Sequence, residues 1–448
     1  MKVTLGAALV VGMASLAGAA PTADTFIDLL SREAKTRAGA VSAIGSGWTN
    51  ASVAPLLEVY RFSGDRAILA LLETKTGQKW GADVDAWYRW VWSNQFGVPP
   101  SYAGFKARLY SRIDPRFAEY FDGNPAATIR LDEIRWGGVL RDGIPPLKRP
   151  KMIAAEEAGY LADADVVFGL TVNGDSRAYP KRILAWHEMF KDKVGGESVN
   201  GVYCTLCGSM ILYRTESDGH HHELGTSGFL YRSNKLMYDL RTKSLWSTLS
   251  GEPVVGPLVG KGIKLEPLPV VTTTWGNWRA QHPDTTVLSP DTGHERDYRE
   301  GVAYRSYFGT DELMFEVPRR DSRLKNKAEV LALRFGDARS AKPIAISTEF
   351  LANRPVYSSE HGGVSFVVLT DRAGANRVYE SGDREFVSLD GASVIDAEGG
   401  KWSVTEAALF RQGASEGAKD ETALKRLPAH RAFWFGWFSA HPDTGLVK

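Results

Sequence analysis

From Asp24 to about Asn94 the apolar residues recur at intervals of three and four. Phe26, Leu29 and Leu30 are followed by Leu56, Leu57, Val59 and Tyr60, then by Ile68, Leu69, Leu71 and Leu72. That period marks one face of an α-helix. Ser63-Gly64-Asp65 separates two of the runs, and Asp65 stands where it can cap the helix that follows. The pattern predicts antiparallel helix pairs, a small HEAT-like region over 21–135. Trp87, Trp90 and Trp92 lie on this pattern, and an aromatic stripe of that kind reads as core or, failing that, as a binding face. Pro99-Pro100 and Asp142-Gly143-Ile144-Pro145-Pro146 interrupt the periodicity, so 136–150 reads as a linker.

Beyond Pro150 the period shortens. Val166 to Val172, Ser198 to Tyr203, Met210 to Tyr213 and Ser365 to Leu369 are β-type runs bounded by Gly, Asp or Asn. The fold class expected is α+β, a helical N-terminal region followed by two tandem related β-rich domains. The duplication rests on three landmarks in one order. Trp278-x-x-x-His282-Pro283-Asp284-Thr285 returns as Trp437-x-x-x-His441-Pro442-Asp443-Thr444, Ala178-Tyr179-Pro180 as Ala341-Lys342-Pro343, and Gly195-Gly196 as Gly362-Gly363. The two copies are placed at 151–320 and 321–448.

The first residues change the picture of where the chain works. Lys2 precedes an uncharged apolar stretch, Val3 to Leu16, and then Ala17-Gly18-Ala19, the small-x-small form that signal peptidase cuts. A signal peptide over 1–20, cleaved near Ala19/Ala20, predicts a periplasmic or secreted protein. The stretch is shorter than the roughly 20 residues that span a bilayer, and no later one approaches that length, so no membrane span is expected. Over 448 residues the net charge is only +1, with no long basic run. That argues against nucleic acid or an anionic membrane as the main partner and leaves an unidentified small molecule or protein.

Two cysteines are too few for a disulfide scaffold, yet both fall in Cys204-Thr205-Leu206-Cys207-Gly208. At the equivalent place the second copy has Val367 to Gly374, again strand-turn-strand, without a cysteine and without a counterpart of His187 in Trp186-His187-Glu188. Reactive residues that vanish while their fold element persists point to chemistry.

The chain carries Ala178-Tyr179-Pro180, Trp186-His187-Glu188, Val194-Gly195-Gly196, Tyr203-Cys204-x-Leu206-Cys207-Gly208, Ser227-Gly228-x-Leu230-Tyr231-x-Ser233-Asn234, Met237-Tyr238-Asp239, Leu245-Trp246-Ser247 and His282-Pro283-Asp284-Thr285. In these spaced motifs it resembles the prokaryotic family catalogued as domain of unknown function 3179. The resemblance covers roughly 140–448, leaves the helical region outside, and implies no particular reaction.

Three readings of the cysteines follow. A structural disulfide across so short a loop would stabilise by only about 2 kcal/mol, against about 3 for a fifteen-residue loop. Thioredoxin-like chemistry places the CxxC at a helix N-terminus that lowers the first thiol's pKa, whereas here Ser209 to Arg214 reads as a strand. A CxxCG turn between strands has the form of a metal knuckle. The favoured expectation is a Zn or Cu site on Cys204 and Cys207 with His187 as third ligand, and with His222 and Met237 as further candidates. The alternative is a thiol-disulfide enzyme in which Cys204 attacks and Cys207 resolves. A third expectation, of a different class, is an interaction protein that uses its N-terminal helices as the partner-binding face. His220-His221-His222 reads first as an exposed polar hairpin, and His282 and His441 as helix-ending turns.

Overall fold

The computed structural model describes residues 20–217, 219–335, 342–413 and 423–448. The expected leader 1–19 and Ala341 of the second Ala-x-Pro landmark lie outside them. Two compact units divide the chain, the first ending at Leu109 and the second running from Tyr110 to Lys448. Among the described residues no helix is long and apolar enough to cross a membrane.

The first unit is helical because its apolar stripe repeats with the helix period. Val53–Ser63 buries Leu56, Leu57 and Val59, and Arg66–Thr76 buries Ile68, Leu69 and Leu72. Gly64, at φ +65°, ends the first of these helices, and the Asp65 carboxylate accepts from the Ala67 amide at 2.9 Å to start the next. Trp87 and Trp92, on Val84–Asn94, are buried. Trp90 is only partly covered and packs edge-on against Phe96 at 4.8 Å. Inside the unit Lys106 and Glu58 form a buried ion pair at 2.9 Å.

The second unit is built of sheets. The stretch 136–150 is not a free tether. Leu147–Lys148 runs parallel to Met189–Val194, the Asp142 carboxylate accepts from the Thr226 amide and from the Tyr238 hydroxyl, and Thr226 donates to the Ile144 carbonyl. Pro and Gly set its turns, but side-chain hydrogen bonds fix its course.

A similar arrangement of strands occurs twice. The hairpin Val166–Val172 with Asp175–Pro180 is flanked by antiparallel Val271–Thr274 and parallel Thr286–Leu288. The hairpin Glu329–Leu333 with Ile344–Ser347 is flanked by antiparallel Ala429–Phe433 and parallel Gly445–Val447. In each, a short helix joins the two flanking strands, Trp275–Gln281 in the first and Trp434–Ala440 in the second. The buried tryptophans act alike as well. Trp278 Nε1 donates to Thr285 Oγ1 at 2.9 Å, and Trp437 Nε1 donates to Thr444 Oγ1 at 2.9 Å. Each threonine hydroxyl in turn donates to a carbonyl of the neighbouring strand region, that of Ser176 or Pro343. His282 and His441 end their helices, each with its amide bonded to the tryptophan carbonyl four residues back.

Candidate functional site

Glu197–Cys204 and Ser209–Arg214 pair as antiparallel strands, with Cys204 opposite Ser209, and Thr205–Gly208 make the turn between them. Gly208 takes φ +62°, and a Cβ there would lie 2.9 Å from the Phe433 ring. Glycine at this position allows both the turn and the close cover above it. The Phe433 amide donates to the Cys207 carbonyl at 2.7 Å, and the Tyr307 hydroxyl donates to the Leu206 carbonyl at 2.7 Å. Leu206, Leu230, Val317, Phe433 and Phe435 complete an apolar shell.

Both cysteines are free thiols inside this shell, Cys204 at 3 % exposure and Cys207 at 0 %. They lie within hydrogen-bonding reach of each other, and their environments push them apart. Burial works to raise the Cys204 thiol, and the Glu188 charge adds to that. Hydrogen bonds from the Cys207 thiol and from the backbone amides of Lys235 and Cys207 prevail, and its pKa lies below the ordinary cysteine value. Burial first, and then the Cys204 sulfur beside it, push Cys207 well up. Of the two thiols, Cys204 is therefore the more readily deprotonated. Cys207 Sγ also reaches the Ser233 carbonyl at 3.2 Å.

Beside the sulfurs lies a buried ion pair, Lys235 Nζ to Glu188 Oε2 at 2.8 Å. Glu188 ends the helix Lys181–His187 in the left-handed region at φ +55°, where its amide meets the Leu184 carbonyl and its carbonyl accepts from the Tyr203 amide. This conformation turns the chain from the helix into the sheet beside the cysteine strand. Tyr304 brings its hydroxyl to 3.4 Å from Glu188 Oε1. Tyr304 and Tyr307 belong to the long connection between Leu288 and Glu329, whose only regular element is the short helix Arg305–Phe308.

The other sequence candidates sit elsewhere. His187 is buried, with Nδ1 2.9 Å from the Pro145 carbonyl and Nε2 2.5 Å from the Tyr298 hydroxyl, so neither ring nitrogen is left for the sulfurs. Burial lowers its pKa to about 4. His222 is buried beneath Trp246, with Nδ1 3.5 Å from Asp239 Oδ2. Met237 sulfur accepts from Asn200 at 3.8 Å in the cluster that also holds Trp246. His220 and His221 form an exposed two-stranded ribbon with Glu216 and Ser217. Among the described residues no group of three or more His, Cys, Asp or Glu side chains is placed to hold a metal ion. Lys235, Tyr304 and Tyr307 carry no sequence signature. The one clue was a lysine within Asn234–Asp239, a strand buried along its whole length.

Residues 141–444 match the family described as "Protein of unknown function (DUF3179)". No curated protein and no solved structure matches the chain.

Proposed function

The chain belongs to the DUF3179 family, and on that footing we propose that its Cys204–Cys207 pair is a thiol–disulfide redox centre. The observation that carries this reading is the placing of two free thiols three residues apart on one turn between paired strands, in surroundings that lower one and raise the other. Such a split assigns roles, because the thiolate is the nucleophile. Cys204 attacks one sulfur of a partner disulfide, a new S–S bond forms as the partner's bond breaks, and the released partner thiolate takes up a proton from water. Cys207 then loses its proton, attacks Cys204 Sγ and expels the second partner thiolate. The partner gains two electrons and the Cys204–Cys207 disulfide remains; with an oxidised pair the same steps run in reverse.

The Glu188–Lys235 pair fits this role. Its carboxylate acts on both sulfurs, and its ammonium keeps that carboxylate from opposing the Cys204 thiolate unchecked. Access requires movement of the connection between Leu288 and Glu329. Loops of more than about 15 residues without structure of their own are uncommon in compact domains, and many serve as lids. We further propose that the twice-occurring strand arrangement reflects tandem related domains, the second of which supplies Phe433 and Phe435 as cover. Export through the N-terminal leader would place the pair in a compartment where dithiols readily close.

One observation favours a second reading, a metal-thiolate site. Backbone amides of Lys235 and Cys207 aim at the Cys204 sulfur, as the amides of a knuckle do. With two thiolates and no engaged imidazole, such a site would suit Cu(I) better than zinc. The two readings part on one experiment. Incubated with oxidised glutathione under native conditions and quenched in acid, the protein is expected to lose two hydrogens and retain no glutathione. A protein that keeps both thiols, while metal analysis under reducing conditions finds stoichiometric copper, would favour the metal reading instead.

A further inference from the structure

We propose that the cavity lined by Arg334 and His430 is a binding site for a small apolar monocarboxylate, distinct from the cysteine pair. The cavity holds about 170 Å3, close to the roughly 150 Å3 of an engineered apolar cavity that takes up benzene. Three basic side chains line it, Lys264, Arg334 and His430, and among the described residues no Asp or Glu does. Lys264 already has Glu252 at 3.5 Å. Arg334 has no carboxylate or hydrogen-bond partner among the described residues. His430 Nε2 is shut off from solvent without a hydrogen-bond partner.

Native proteins pair their buried polar groups, so the solvent-shielded Nε2 of His430, in a cavity that the Arg334 guanidinium also lines, calls for an acceptor that none of the described residues supplies. Burial, His441 and Arg334 together depress His430 to about 3, so the ring is neutral and can donate one hydrogen bond from Nε2. A carboxylate fits both groups, one oxygen accepting from the planar guanidinium fork and the other from the imidazole. Arg334, a fixed cation without a carboxylate partner among the described residues, matches one negative charge. The rest of the wall includes Ile211, Leu268, Val270 and Phe335, which suits an aromatic or branched hydrocarbon body.

The site is set by the sheet. His430 stands opposite Ala332 in the antiparallel pair of Ala429–Phe433 with Glu329–Leu333, and Arg334 follows that strand directly. Ile211 and Tyr213 come from the strand that leaves the cysteine turn. The Tyr213 hydroxyl is occupied by the Thr248 carbonyl and so belongs to the wall rather than to the ligand.

The probe is sodium benzoate, with benzamide as its uncharged isostere, on the full chain, followed by saturation-transfer NMR. Benzoate is expected to bind saturably, with benzamide weaker by about tenfold or more, since charge-assisted hydrogen bonds are roughly twice as strong as neutral ones. Arg334→Gln is expected to lose a similar factor for benzoate and none for benzamide. Cys204→Ser is expected to bind benzoate as the wild type does, which separates this site from the redox reading. Absence of saturable benzoate binding, equal binding of the two probes, or an Arg334→Gln protein with unchanged benzoate affinity would each overturn the proposal. The comparison of the two probes on the wild type needs no variant, so it decides the matter even where Arg334→Gln does not fold.

Discussion

Cys207→Ser incubated with oxidised glutathione is expected to retain one glutathione on Cys204, whereas Cys204→Ser retains none. The asymmetry follows from the site. Cys204 receives hydrogen bonds from two backbone amides that survive either substitution, and Cys207 is held protonated by burial and by its neighbour. Without Cys207 the mixed disulfide has no internal thiol to resolve it. A serine at 207 keeps a donor beside Cys204, so the thiolate remains supported. The effect is close to all-or-none, read as the mass of a single adduct. Equal labelling of both variants, or labelling of Cys204→Ser alone, would contradict the assignment of roles.

Lys235→Met is expected to destabilise the second unit by about 3–5 kcal/mol, the cost of leaving one member of a buried ion pair without its partner. Lys235 and Glu188 are 5 % and 8 % exposed, so water screens the stranded carboxylate poorly. The same change lets the Glu188 charge act undiminished on the sulfurs and moves the Cys204 thiol up. Urea unfolding gives the first quantity, and the pH dependence of alkylation in a Cys207→Ser background gives the second. Adding Glu188→Gln should recover much of the stability and lower the Cys204 thiol again. A Lys235→Met protein within about 1 kcal/mol of wild type, with unchanged thiol reactivity, would show that the pair does not act on the site.

The local grammar of this chain was largely legible. Helix periodicity gave the buried stripes Leu56–Leu57–Val59 and Ile68–Leu69–Leu72, Asp65 was placed as a cap, and the run to Tyr203 with Gly208 and the run from Met210 gave the strand-turn-strand that holds the cysteines. Tertiary relations were not legible, because they depend on residues far apart in sequence. His187 shares a motif with Glu188, and the sequence favoured the histidine as the one facing the sulfurs. The left-handed residue at the helix end instead sends the imidazole toward Pro145 and Tyr298 and leaves Glu188 with Lys235. Pro145 and Pro146 read as part of a linker because proline and glycine mark turns, while the hydrogen bonds that fix the stretch come from Thr226 and Tyr238, some eighty or more positions on. The cover over the cysteines comes from Tyr304, Tyr307 and Phe433, which no motif near Cys204 announces.

The central claim is that Cys204 and Cys207 cycle between dithiol and disulfide in the folded protein. A redox titration of the native wild type in glutathione buffers, quenched by acid and read by alkylation of free thiols, tests it most directly. The expected result is a single two-electron transition between about −270 and −120 mV, the range of catalytic pairs. A pair that remains reduced throughout the titration, or one that stays closed until the potential falls below about −300 mV as inert structural bonds do, would contradict it.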